Sequence, residues 1–411
     1  MEHSPAILHA KQLLMLLGII LGTGMLAGFV ARLLRIPDVV LFLLSGMALG
    51  SAGLGVINIG VDSTLNQLLL IFGSCYILFD GGASVRLSVL RNVWPTLLII
   101  STIGVLISTF VTAVAAQLLL GLPFIVALLL GSTIASTDPA TLVPIFKQVR
   151  IRAKVAQTVM SESAFNDAMA AILTFTLLGI AMGQGEFSLG DSLIDLLRQA
   201  IFGLAGGVIL GYLASLFIAH EKYSFLAEYA PVVTLMAVAA AYLSADHLEA
   251  SGFMAVFAFG IVLGNKDMFG FKMSEEDELK LEDYILTTSL LMRIFIFVLL
   301  GSQVNFTLLQ QYFWGALGVV VVFMLVARPL TVFACALPDR QAKWQMKELM
   351  FMCWTRETGV IPGALAGMLV GMNAPYANVI ASVTFMAILL TIIIQATTTK
   401  WLAGKLGLLE S

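Results

Sequence analysis

Charge is scarce in this chain: Asp, Glu, Lys and Arg make up 11% of its 411 residues, and hydrophobic residues make up 59%. A soluble domain carries about 25% charged residues, so a water-soluble globular fold is excluded. Cysteine is also scarce. Cys75, Cys335 and Cys353 stand alone in apolar segments, which offers neither a disulfide framework nor metal-ligand spacing. The four histidines, His3, His9, His220 and His247, fall at termini or loop edges, so no intramembrane histidine is available to carry protons. No basic domain is present, which removes nucleic acid as a partner. The lipid bilayer is the partner that this composition demands.

Long apolar runs fill the space that charge leaves. Runs of about 20 apolar residues mark transmembrane helices. About thirteen are predicted, near 12–31, 38–50, 64–80, 94–120, 124–146, 155–181, 194–219, 228–243, 250–264, 284–300, 310–336, 347–370 and 376–400. The fold class is therefore an all-α polytopic membrane protein. The first span runs on into further spans and reads as a retained helix, not a cleaved signal. The last is expected to end shortly before Ser411, so residues 1–411 read as one integral-membrane transporter domain with no soluble regulatory domain.

Basic residues fall on alternate loops. Arg32, Arg35, Arg86, Arg91, Lys147, Arg150, Arg152, Lys154, Lys222, Lys266, Lys272, Lys280, Arg340, Lys343, Lys347, Lys400 and Lys405 lie on one side, against Lys11 and Arg198 on the other. The positive-inside rule makes the first side cytoplasmic, with the N-terminus outside and the C-terminus inside. The polar stretch from Lys272 to Asp283 reads as a solvated cytoplasmic linker or an interfacial amphipathic piece. An offset of seven spans reverses orientation, so helices 1–6 and 8–13 would form inverted repeats. The fifth span breaks at Thr137-Asp138-Pro139 and the twelfth around Arg356-Glu357-Thr358-Gly359. A matched pair of interrupted helices points to a transporter site.

Three acids lie inside these apolar spans: Asp138, Glu162 and Asp167. An ionised carboxylate near the bilayer midplane costs roughly 3 kcal/mol on insertion scales. Acids at that depth are used or tightly paired. Pro139 removes a backbone donor and obstructs the preceding turn, so the fifth span should unwind near Thr137 and Asp138. Its freed carbonyls can coordinate a small cation while Asp138 supplies charge. Asp167 sits about 140° around the helix from Glu162, so the two acids serve different partners. Asp167 is assigned to the cation and proton beside Asp138, and Asn166 to orienting Asp138 against the unwound segment. Glu162 needs a cationic partner among Arg293, Arg328 and Arg356, and Arg328 is favoured as a structural ion pair. Arg356 is expected to compensate the carbonyl ends and Glu357 at the break in the twelfth span. Asp80, before Gly81-Gly82, is either an exposed cap near the cytoplasmic mouth, or an entry carboxylate or an extra ligand. Burial disfavours the charged form of a carboxyl, which allows a proton and a cation to exchange there.

The string Glu162-Ser163-Ala164-Phe165-Asn166-Asp167, preceded by Thr137-Asp138-Pro139, resembles the monovalent cation/proton antiporter superfamily, in its NhaP-type sodium/proton exchanger branch. The resemblance implies about thirteen helices divided between a dimerisation part and a six-helix core, with interrupted helices 5 and 12 crossing in the core. It implies a homodimer with an elevator-like core movement. Asp138 and Asp167 then match the acids that hold a monovalent cation, Thr137 a backbone ligand, Ser163 a side-chain ligand and Asn166 the orienting amide. Glu162 and Arg328 match a structural pair. Asn166-Asp167 in place of two acids implies electroneutral exchange of one cation for one proton. No cofactor is implied beyond the transported Na+ and H+, with Li+ or K+ as further cations. Glu357 departs from the Gly-Leu-Arg-Gly pattern of many relatives, and Asp80 stands where archaeal relatives can carry Glu. The alternatives are a K+/H+ antiporter of the same fold, a cation channel and an intramembrane aspartyl protease, whose Gly-x-Gly-Asp motif is absent. The implied location is a prokaryotic-type inner or cell membrane.

Overall fold

A computed structural model describes residues 5–34, 36–90, 93–137, 151–183, 189–220 and 224–409. Among these residues the regular structure is helical, apart from one isolated bridge between Ile151 and Leu409. The helices are α1 (Pro5–Leu34), α2 (Asp38–Leu49), α3 (Thr64–Ser84), α4 (Leu87–Leu90), α5 (Trp94–Leu120), α6 (Phe124–Ile134), α7 (Ala153–Ala181), α8 (Leu189–Ala219), α9 (Ala230–His247), α10 (Gly252–Gly264), α11 (Glu275–Ser302), α12 (Phe306–Gln311), α13 (Phe313–Val322), α14 (Arg328–Ala336), α15 (Met346–Trp354), α16 (Val360–Gly371), α17 (Ala377–Leu390) and α18 (Thr397–Leu406). Nine helical stretches among the described residues are long and apolar enough to cross a membrane. Shorter apolar helices α2, α6, α10 and α16 occupy the other expected spans. The protein is a multi-pass integral membrane protein.

Local chemistry sets several boundaries. Ser63, Ser251 and Ser274 each accept an N–H of the helix they precede, at 3.1–3.2 Å, as N-capping requires. Ser274 and four acids in the first turn start α11 at Glu275, where carboxylates suit the helix dipole. The stretch expected as a linker therefore forms the exposed first turns of the tenth span. Pro329 has no N–H to give the preceding turn. A π-turn at Phe323–Ala327 joins α13 to α14, and a second at Thr391–Ala396 joins α17 to α18.

The apolar core divides into three clusters. One gathers mainly α1, α2, α3, α8, α9, α10 and α11. Gly260 and Gly264 on α10 face backbone of α3 so closely that a methyl at either would overlap the Phe79 or Ala83 carbonyl, a small-residue contact suited to lipid. A second gathers mainly α5, α6, α7, α13 and α17, and a smaller third lies among α5, α7, α14, α15 and α18. Helix α16 packs mainly into the first cluster, and α17 into the first and the second.

Loops from one side meet one another. At the basic-loop face Arg86 donates to the Gly264 carbonyl (2.6 Å), the Lys272 N–H donates to Ala219 (2.8 Å), and Lys154 pairs with Glu348 (3.1 Å). At the opposite face the Ser251 N–H donates to Gln199 (3.1 Å) and Gln303 to Asn66 (2.9 Å).

Asp339 braces the basic-loop face. It accepts from the N–H and hydroxyl of Thr96 (3.1 and 2.5 Å) and from the N–H groups of Gln341 and Ala342. Burial pushes its carboxyl up, but these four donors outweigh burial and hold it below its ordinary value of 3.8. A depressed folded pKa contributes stability above the unfolded value, and that stability is lost as pH falls through the folded value. Asp339→Asn is expected to lower the melting temperature at pH 6. The gap from wild type should close below about pH 4. A gap that widens on acidification would contradict this.

Candidate functional site at the broken helices

The expected break in the twelfth span is present, and the described part of the fifth span leaves the helix before Thr137. Helix α6 ends at Ile134, and Ser136 and Thr137 are non-helical. Residues 355–359 are non-helical between α15 and α16. Thr355, Arg356, Glu357 and Thr358 are at most 2% exposed, as unwound backbone at membrane depth must be when protein surrounds it. Asp138 and Pro139 lie outside the described residues, as do Lys147 and Arg150.

Thr137 is clamped to α7. Its N–H donates to Asn166 Oδ1 (3.1 Å), and Asn166 Nδ2 donates back to Thr137 Oγ1 (2.9 Å). Thr137 Oγ1 also shares a hydrogen bond with Ser163 Oγ (2.7 Å). Thr174 Oγ1 donates to Ser132 Oγ (3.1 Å) three turns further along α7, fixing α6 beside it. The amide of Asn166 thus replaces helical partners that the break takes from Thr137. Asp167 follows on the same helix and is 4% exposed. Three of the expected site residues, Thr137, Ser163 and Asn166, are therefore brought together next to a buried carboxylate.

Glu162 meets Arg328. Both guanidinium Nη groups donate to its carboxylate, the Nη2–Oε2 contact at 3.0 Å and the Nη1–Oε1 contact closer still. Arg328 Nε donates to the Met352 carbonyl (2.8 Å), and Nη2 also reaches the Thr355 carbonyl (3.4 Å). Both partners are at most 2% exposed. The planar fork suits this two-point geometry. Arg328 is thereby the residue that takes carbonyls at the break of the twelfth span.

Arg356 turns elsewhere. Its Nη2 donates to the Ala135 carbonyl at the end of α6, and its guanidinium lies 4.4 Å from the Phe323 ring centroid. The arginine of one broken helix thus caps the carbonyl end of the other. The second π-turn supports the same break, because Thr391 Oγ1 accepts the Thr358 N–H (3.0 Å). Glu357 is fully buried on this segment. Asp80 is half-buried and accepts from Ser289 Oγ (2.6 Å), linking α3 to α11. Arg293 is half-buried on α11.

Residues 13–405 match the family model described as "Sodium/hydrogen exchanger, transmembrane". The chain belongs to the sodium/hydrogen exchanger family. It is 32% identical to Na(+)/H(+) antiporter 1 of Methanocaldococcus jannaschii, over 95% of each chain. It is 29% identical to the K(+)/H(+) antiporter NhaP of Alkalimonas amylolytica, over 93% of this chain and 64% of that one. The solved sodium proton antiporter MjNhaP1 from M. jannaschii at pH 8 superposes with a TM-score of 0.85 at 31% identity, covering 96% of this chain and 99% of that one. In this exchanger the Ala135 carbonyl, Phe323 and Thr391 are site contacts that the sequence did not signal. One is a backbone group and two sit on π-turns.

Proposed function

We propose that this protein is a secondary-active antiporter that exchanges Na+ or Li+ for H+. The observation that carries the reading is the Thr137–Asn166–Ser163 clamp beside buried Asp167, in a chain of the sodium/hydrogen exchanger family. Cation and proton compete for a site built on Asp138 and Asp167, with the Thr137 carbonyl and Ser163 Oγ as further ligands and Asn166 as the orienting amide. Asp80 is a further ligand or a carboxylate at the mouth. Arg356 and Glu357 hold the charge balance of the breaks, and the Glu162–Arg328 pair holds α7 in place. The empty, charged site is barred from crossing, because it would carry bare carboxylates past an apolar barrier. That barrier couples the two fluxes.

The reading includes thirteen crossings in two inverted halves, an elevator-like core and a homodimer. It places the basic loops in the cytoplasm and gives an exchange of one cation for one proton without net charge. The sodium/proton antiporters among the relatives support Na+. The Alkalimonas relative supports a second reading, K+/H+ exchange on the same site. Proteoliposomes loaded with a pH-sensitive dye separate the two when pulsed with Na+, Li+ or K+. A pH change driven by Na+ and Li+ is expected. A response to K+ alone selects the second reading, and no response to any of the three rejects both.

Asn166→Ala removes both halves of the clamp and leaves the Thr137 N–H buried without its acceptor, a loss of about 1–3 kcal/mol. Exchange is expected to fall at least about tenfold, while Asn166→Asp, which keeps an acceptor for that N–H, retains more. Equal activity in wild type and Asn166→Ala would contradict the orienting role.

A further inference from the structure

We propose that Gln395 is a positioning residue for the exchange, whose amide lacks partners in this arrangement of the twelfth-span break and gains them when the break rearranges. Its effect on turnover rests on the antiporter reading; its geometry does not. Gln395 lies in the second π-turn, Thr391–Ala396, and is fully buried. Among the described residues neither its Oε1 nor its Nε2 has a hydrogen-bond partner. Its backbone carbonyl, by contrast, accepts from Thr399 Oγ1 (2.7 Å). A buried amide without partners has given up its hydrogen bonds to water and gained none in return, and a low-dielectric interior sharpens that cost. The amide at the other break is fully used: Asn166 both accepts from Thr137 and donates to it.

Two contacts bracket Gln395 against the broken span. Thr391 Oγ1 accepts the Thr358 N–H (3.0 Å), and Trp354 Nε1 donates to Thr398 Oγ1 (2.8 Å). Position 395 falls between 391 and 398, and positions 355–357 fall between 354 and 358, so Gln395 stands level with the non-helical segment. Residues three and four apart share a helix face, which puts Gln395 on the side that carries both contacts. That segment holds groups an amide can take. Thr358 Oγ1 is buried and makes no hydrogen bond among the described residues, and the Glu357 side chain beside it is fully buried. A primary amide offers two donors and one acceptor, so it can meet a hydroxyl, a carboxylate or a freed carbonyl as the segment shifts. A π-turn is a frequent feature of functional sites. An arrangement that leaves a polar group unmet is raised in free energy relative to one that meets it, which moves the two populations closer together. Gln395 thus gives up stability for movement.

The test uses the full chain carrying Gln395→Met, which keeps the length and nearly the volume of the side chain and removes its amide. Thermal unfolding in detergent, dye-reported exchange in proteoliposomes and deuterium uptake by residues 355–359 are each compared with wild type. The melting temperature is expected to rise. Exchange is expected to slow at least about fivefold, and uptake at 355–359 by a similar factor, because both need the rearranged break. Replacing a glutamine that merely supported the fold would lower the melting temperature, so a lower value overturns the proposal. Exchange at the wild-type rate overturns it as well. If Gln395→Met does not fold, Gln395→Leu, which also fills the space without polar atoms, decides the question by the same readings. Melting and uptake that respond as expected, with no exchange of Na+, Li+ or K+ in either protein, overturn the antiporter reading alone. Exchange in wild type with unchanged uptake in the variant overturns the role of Gln395 alone.

Discussion

Arg328→Ala is expected to destabilise the protein by about 3–5 kcal/mol, because it leaves the Glu162 carboxylate buried without its counter-charge. The same change strips donors from the Met352 and Thr355 carbonyls at the end of α15. Glu162→Ala should cost a similar amount by stranding the guanidinium. Replacing both together, Glu162→Gln with Arg328→Met, should recover much of the loss, since buried pairs exchanged for uncharged groups of similar volume are often close to neutral. Thermal unfolding in detergent followed by tryptophan fluorescence reads all four proteins. Single variants that melt with wild type, or a double variant as damaged as the sum of the singles, would remove the structural role of the pair. Because Ser163 follows Glu162 on α7, the singles should also loosen the Thr137 clamp.

Asp167→Asn is expected to abolish exchange while leaving the melting temperature within a few degrees of wild type. Asparagine nearly matches aspartate in volume, so packing is kept. Removing the charge also removes the cost of burying it. What is lost is the group that can hold either a proton or a monovalent cation. Rates in proteoliposomes should fall to the level of protein-free vesicles, roughly a hundredfold or more, since a neutral amide cannot bind the proton. Retained exchange would move the site away from α7. The contrast with Arg328→Ala is diagnostic, because that change acts through stability and Asp167→Asn through chemistry.

The spans were legible because lipid demands long apolar runs, and most predicted boundaries follow the described helices to within a few residues, while the end of the fifth span lies outside the described residues. The match of Glu162 to Arg328 was legible for a related reason. A buried charge must be met, and few arginines lie within the spans. The acceptor of Arg356 was not legible, because the Ala135 carbonyl carries no side-chain identity that a sequence can display. The π-turn at Thr391–Ala396 has no proline within it, so nothing local marked it. The contact of Gln67 with Gly367 joins positions 300 apart without charge or motif. The start of α11 was misread because charge density suggested a linker, whereas the Ser274 cap and its acids favour a helix start.

We propose that cation and proton displace one another at a site that includes Asp167. It is tested most directly by adding Na+ to the purified protein in weakly buffered detergent solution and recording the released protons. Proton release near neutral pH is expected to saturate with Na+ and to be absent in Asp167→Asn. Sodium binding without proton release, or release that survives Asp167→Asn, would contradict it.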